Sequence, residues 1–197
     1  HLLDANQDPH VLIMEDLGTL PTLGRWLREQ DPDEIQAATP TLGHRLGTYI
    51  GRLHAATHNV SEYVEAFNNR PMQETRLAVQ YRGVAEMLKT GGVDDAAALA
   101  KQAETLGLKL LEPGCCLTMG DLWPSSVLVQ KDALRLIDWE LAHYGRPLQD
   151  VAHWRAHLWM QKHRAPSTTV ADTVTSLWDA FLTTYRDALG DAESALW

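Results

Sequence analysis

Apolar residues recur every three or four positions over five long stretches of this chain and crowd into short unbroken runs in two others, and the two spacings predict different elements. Leu42, Leu46, Tyr49, Ile50 and Leu53 sit at helical spacing within residues 39–58, where Thr39 reads as the N-cap and Pro40 as the first helical residue. Residues 73–89 and 94–111 read as two more amphipathic helices parted by Gly91-Gly92, and Pro113-Gly114 ends that block. The helical period returns over 150–163 and 168–189, with Gly190 as a stop. A shorter helix is expected over 22–30, and the acids Glu29, Asp31, Asp33 and Glu34 around Pro32 read as a solvated loop.

The continuous runs carry the extended segments. HVLIMEDLG (10–18) reads as a buried strand leading into a connector. Three short runs follow at 115–118, 127–130 and 134–137, the last two joined by Lys131-Asp132 as a hairpin turn. The expectation is an α+β chain, predominantly α-helical, built around one small β element, with no internal repeat or low-complexity tract.

Composition narrows the partners more than the fold. The 197 residues, 45% of them hydrophobic, suffice for one substantial core. A formal charge of -9 and a pI near 5.4 argue against nucleic acid and against an anionic membrane surface, which both demand clustered Lys and Arg. No apolar segment approaches the roughly 20 residues of a membrane span, and no signal segment opens the chain, so a soluble, cytoplasmic protein is expected. Cys115 and Cys116 are adjacent and point apart on an extended segment, so they read as two free thiols. The first residue is His1 rather than Met, which leaves room for a segment upstream.

Two aspartates carry the candidate chemistry. Asp121 precedes the run at 127–129, and Asp138 follows the run at 134–137. If those runs pair, both carboxylates lie at one end of the hairpin. Paired carboxylates there suit phosphoryl transfer, one taking the proton of an acceptor hydroxyl and the other holding Mg²⁺ against nucleotide phosphates. Two turn-forming aspartates whose side chains satisfy local amides would give the same pattern.

MGDLWPSSVLV (119–129) followed by LIDWELAHYGRPLQDVAHW (136–154) resembles the catalytic loop and metal-binding segment of the aminoglycoside phosphotransferase and choline kinase-like family. Ile137, Asp138, Trp139, Ala142, Gly145, Pro147, Asp150 and Ala152 match its second motif almost position for position. HVLIMEDLG is similar to the family's strand entering the interlobe hinge, and LGTYIGRLHAAT (46–57) to its long helix ending in Leu-His. The resemblance implies the C-terminal lobe of a protein-kinase-like fold whose small hairpin carries the active site. It implies Asp121 as catalytic base, Asp138 as the principal Mg²⁺ ligand and Asp150 as a buried anchor for the catalytic-loop backbone. It also implies that main-chain groups of Glu15 to Leu17 meet the adenine edge, with Leu128 and Ile137 as an apolar floor; a plain core reading serves those two equally well. Residues 1–18 would form the strand and hinge, and 19–197 the helical lobe, with the catalytic loop at 118–129 and the metal-binding segment at 136–150.

Three positions depart from that pattern. Met119 replaces the motif's first His and can pack the turn without making imidazole hydrogen bonds. Ser126 replaces the metal-binding Asn; its shorter side chain would ligate Mg²⁺ through a bridging water. No Gly-rich loop or strand-borne Lys precedes His10, so an N-terminal lobe is absent from this chain. The expected activity is ATP-dependent phosphorylation of a small-molecule hydroxyl; the alternative is a catalytically inactive binding or interaction module of the same fold. Glu140 either faces the acceptor and favours a cationic one or is simply solvated. The pairs His54/His58 and His153/His157 have metal-compatible spacing but no third ligand, and Trp139, Trp154, Trp159 and Trp178 read as core.

Overall fold

Thr22, Asp31 and Ser167 each open a helix with a side chain that accepts backbone N–H groups. The computed structural model describes residues 2–7, 10–131 and 133–192. Helix α1 spans Leu23–Glu29, and α2 runs unbroken over Pro32–Thr57. The acidic loop expected at 29–34 is therefore mostly helix. Asp31 accepts from the amides of Asp33 (2.9 Å) and Glu34 (3.4 Å), Pro32 takes the first turn, and Asp33 and Glu34 face the positive end of the helix dipole. Thr39-Pro40 has the same grammar but lies inside α2, where the buried Thr39 hydroxyl donates to the Ile35 carbonyl.

The middle block holds α3 (Ser61–Ala66), α4 (Arg70–Arg76), a π-helical turn over Leu77–Arg82, α5 (Val84–Thr90) and α6 (Ala96–Leu108). The single helix expected over 73–89 is thus interrupted by a π segment. Helices α7 (Leu148–His163) and α8 (Thr168–Leu189) end the described chain, with Gly190 in a left-handed conformation at φ 54°.

Helices α2 and α8 form the densest seam. Gly43, Gly47 and Gly51 recur every fourth residue on α2 and face Leu177, Phe181 and Tyr185, which recur every fourth residue on α8. A Cβ at Gly43 would stand 2.7 Å from the Leu177 carbonyl oxygen, and one at Gly51 2.6 Å from that of Tyr185, so the backbones touch where side chains would separate them. Around the seam pack Leu42, Leu46, Ile50, Val174 and Trp154, all fully or almost fully buried. Trp139 and Trp178 lie partly buried against this core, whereas Trp159 is 54% exposed and is not core as expected. It lies on α7 toward solvent, its ring tilted against that of His163 on the next turn.

The described strands form three two-stranded sheets. β1 (Leu2–Gln7) pairs antiparallel with β2 (His10–Met14). The burial expected for residues 10–14 does not hold: Val11, Ile13 and Met14 are exposed, since a lone two-stranded ribbon cannot cover its own faces. β3 (Cys116–Thr118), β4 (Val127–Gln130), β5 (Ala133–Leu136) and β6 (His143–Gly145) surround the two aspartates. β4 pairs with β5, Val127 opposite Leu136, as the sequence suggests, and Lys131 turns at φ 53° while Asp132 lies outside the described residues. β3 pairs with β6, a strand that the apolar pattern does not reveal. Cys115 and Cys116 are free thiols. No helix among the described residues is long and apolar enough to cross a membrane.

Candidate active site

Gly120 must turn at φ 84°, a conformation that costs a side-chained residue but not glycine, and a Cβ there would meet the Leu141 carbonyl. The turn is fixed from below by one carboxylate. Asp150, fully buried on the first turn of α7, accepts from the Met119 amide (2.7 Å) through Oδ2 and from the Gly120 amide (2.9 Å) through Oδ1. His54 on α2 donates through Nε2 to Oδ2 at 3.2 Å, and its Nδ1 meets the Tyr185 hydroxyl of α8 at 2.9 Å. Burial alone would raise the Asp150 pKa, but the His54 bond and charge together with the two amides outweigh it and hold the carboxyl below its ordinary value. His54 thus belongs to the turn's foundation, and Met119, fully buried, fills the place below it. The Leu53-His54 pair was visible in the sequence, but only its spacing to His58 suggested a role.

Asp121, the next residue, has its side chain 22% exposed. Its pKa is raised, by burial first and then by the negative charges of Glu140, Asp138 and Asp150, against the opposing charge of Arg76. Arg76 is itself 4% exposed; Nε donates to Gln80 at 3.0 Å, and Nη1 is buried without a partner among the described residues. Nothing in the sequence singled this arginine out; its signal is the π-helical turn that begins one residue later, a local irregularity that often accompanies functional positions.

Asp138 follows β5 in a left-handed conformation (φ 64°) and is exposed, and partial desolvation and Glu140 raise its pKa. The hairpin register therefore brings Asp121 and Asp138 to one end, as expected from the two flanking runs, and the charge of Glu140 acts on both. The loop behind them is pinned: Asn69 donates to the carbonyls of Glu140 and Ala142 at 3.1 Å each, and the buried His143 holds Leu141 and Gln149 at 2.9 Å each. Ser126 is not brought into this group. It is fully buried, its hydroxyl accepts from the Trp123 amide (3.2 Å), and it lies within reach of the carbonyls of Trp123 (2.9 Å) and Asp121 (3.2 Å). That oxygen is spent inside the turn.

The connector after β2 docks on the hairpin through the Thr22–Leu128 bridge, and the Val129 amide donates to the Pro21 carbonyl at 3.0 Å. Glu15 and Leu17 line a groove of about 730 Å³ whose other walls are Arg45, Leu46 and Tyr49 of α2 and Ala133 to Leu136 of β5 with Trp139. Leu128 and Ile137 are half-buried on the hairpin and do not line this groove.

On the far side of Asp121 stand the two α7 histidines. His153 Nδ1 lies 3.4 Å from Asp121 Oδ1, and the Nε2 atoms of His153 and His157 lie 3.1 Å apart. Burial, then His157 and Arg76, depress the His153 pKa to about 4, and burial lowers that of His157. No group of three or more metal-ligating His, Cys, Asp or Glu side chains occurs among the described residues.

The model of the family described as Phosphotransferase enzyme family matches residues 9–195. A 4-hydroxytryptamine kinase of Psilocybe cyanescens is 27% identical over 154 residues, 74% of this chain and 42% of that protein. A solved glucosamine kinase superposes with a TM-score of 0.53 at 19% identity, over 95% of this chain and 52% of that one. A glucosamine kinase in complex with glucosamine, ADP and inorganic phosphate superposes with a TM-score of 0.50 at 19% identity, over 90% of this chain and 51% of that one. The chain spans about half the length of these relatives, and the structural likeness bears out the predominantly helical, kinase-like α+β fold.

Proposed function

The chain belongs to the phosphotransferase enzyme family, and on that premise we propose that it supplies the catalytic lobe of a small-molecule kinase that moves the γ-phosphoryl group of ATP to a hydroxyl. The observation that carries this reading is the Asp150 anchor: a charged, fully buried side chain spent on holding the backbone amides of residues 119 and 120, just ahead of Asp121. Phosphoryl transfer asks of the protein mostly positioning, and a turn held by two charge-assisted hydrogen bonds to one buried carboxylate suits it.

Asp121 is the base. Its raised pKa makes its carboxylate a better acceptor for the proton of an acceptor hydroxyl than an unperturbed aspartate would be. Asp138 would hold Mg²⁺. That ion takes one or two protein carboxylates and fills its remaining positions with phosphate and water, so an exposed aspartate among like charges fits it without a preformed cluster. When bound, Mg²⁺ would neutralise and align the phosphates of ATP. The main chain of Glu15 to Leu17, on the groove beside β5, would take the adenine edge, with Leu134, Leu136 and Trp139 as its apolar wall, while Leu128 and Ile137, outside the groove, keep the plain core reading. Ser126 is given no metal role here. Glu140, beside Asp121 and Asp138, favours an acceptor that carries an amine, as the name of the 4-hydroxytryptamine kinase denotes.

A second reading is a catalytically silent binding module. The observation favouring it is Ser126, whose commitment to the turn leaves Asp138 without the companion ligand of the family motif. One experiment separates the two. The protein as its gene encodes it, given ATP, Mg²⁺ and a panel of hydroxylated amines, should form ADP and phosphoester. Asp121→Asn should lose on the order of 10²- to 10⁴-fold in kcat while keeping ATP affinity. Asp138→Ala should abolish Mg²⁺-dependent ATP binding in calorimetry, and unchanged binding would remove the metal assignment.

A further inference from the structure

His153 and His157 stand behind Asp121, and no step of the proposed transfer employs them. Their Nε2 atoms are at hydrogen-bond distance, so one ring donates to the other. On the opposite edge of His153, Nδ1 is buried, lacks an aligned hydrogen-bond partner among the described residues, and has Asp121 Oδ1 3.4 Å away. Trp123, on the same loop as Asp121, packs against His157 with ring centroids 5.2 Å apart, closing the pair off from that side. Burial depresses the pKa values of both rings, that of His153 to about 4, and so favours their neutral forms.

A neutral imidazole carries one N–H, and its placement on His153 is decided by the neighbours. With hydrogen on Nε2, the Nδ1 lone pair would face a carboxylate oxygen. With hydrogen on Nδ1, an N–H faces that oxygen, and Nε2 is free to accept from His157. The second arrangement satisfies both contacts, and the first satisfies one at the expense of the other.

We propose, on the reading of Asp121 as the base, that His153 is a positioning residue whose Nδ1–H steadies Asp121 Oδ1, that an Nε2–H from His157 sets its tautomer, and that Oδ2 is thereby left to meet the acceptor hydroxyl. The histidines relay hydrogen-bond polarity, and no proton is transferred through them. The contact is long and poorly aligned in the free protein, and catalytic hydrogen bonds commonly tighten once substrate is bound.

Two measurements test this. Long-range ¹H–¹⁵N spectra of the histidine-labelled protein should show His153 protonated at Nδ1 and His157 at Nε2, and His157→Phe should redistribute the His153 tautomers; His153 protonated at Nε2 in the wild type overturns the proposal. In kinetics, His153→Asn places an amide donor near the Nδ1 position and should retain kcat to within about threefold, whereas His153→Gln, whose donor sits near Nε2, should lose on the order of 10- to 100-fold in kcat with KM for ATP unchanged. Equal losses in the two variants also overturn it. If the wild-type protein phosphorylates no alcohol, the assignment of Asp121 as base fails, and the spectra still decide the tautomers by themselves.

Discussion

Replacing Asp150 with Asn changes one atom of the turn's foundation and almost none of its volume. The carboxylate accepts three hydrogen bonds, from the amides of Met119 and Gly120 and from His54 Nε2. An Asn oxygen at the Oδ2 position keeps the Met119 amide and His54, but its NH₂ group then faces the Gly120 amide, donor against donor. One charge-assisted bond is lost at about 1.5–3 kcal/mol and a buried donor left unsatisfied at about 1–3 kcal/mol, and relief from burying a charge returns part of that, for a net loss of about 3 kcal/mol. For a chain of this size such a loss lowers Tm by roughly 6–12 °C. Equilibrium urea unfolding followed by far-UV circular dichroism should show a lower midpoint at unchanged slope. The deficit should also depend on pH with a definite sign. The folded carboxyl titrates below its unfolded value of about 3.9, so its contribution is complete above that pH and is lost as pH falls through the folded pKa. Wild type and Asp150→Asn should therefore converge in acid. A neutral-pH deficit under about 1 kcal/mol, or a gap that persists in acid, would refute the account of the anchor as an ionised acceptor.

Two further substitutions probe the supports of the site. Gly47→Ala gains about 1 kcal/mol of helix propensity, but its methyl meets the Phe181 carbonyl and the Thr184 hydroxyl; overpacking against backbone costs about 1–3 kcal/mol, so a lowered Tm is expected, and a raised one would mean that the α2–α8 seam can spread freely. Ser126→Ala removes a hydroxyl that serves only the turn and should cost about 1 kcal/mol of stability while leaving Mg²⁺-dependent nucleotide binding unchanged; a selective loss of metal dependence would restore Ser126 as a ligand.

The helices were legible where period and punctuation agreed. Residues 168–189 carry a helical apolar period closed by Gly190, and α8 has those bounds. The start of α2 was misread because an acceptor followed by proline occurs twice, at Asp31-Pro32 and Thr39-Pro40, and only packing against α8 reveals that the second lies mid-helix. β6 was illegible: three residues, His143 to Gly145, owe their extended form to pairing with β3, far away in sequence. The two aspartates were found because the hairpin and the motif spacing place them. Arg76 and the link between His153 and Asp121 were not, since both depend on which helix face turns toward the loop. Spacing of four told of a shared face for His153 and His157 but not of what that face meets.

Helix α2 brings His54 to Asp150, and α8 brings Tyr185 to His54, across the same stretch where Gly51 and the Tyr185 carbonyl all but touch. The glycine seam consequently acts as a gauge block for the candidate site. It fixes the span that one imidazole must bridge between a tyrosine hydroxyl and a carboxylate. Any change that thickens the seam, even by a methyl group and far from solvent, should register at the Met119 and Gly120 amides before it registers in the shape of the molecule.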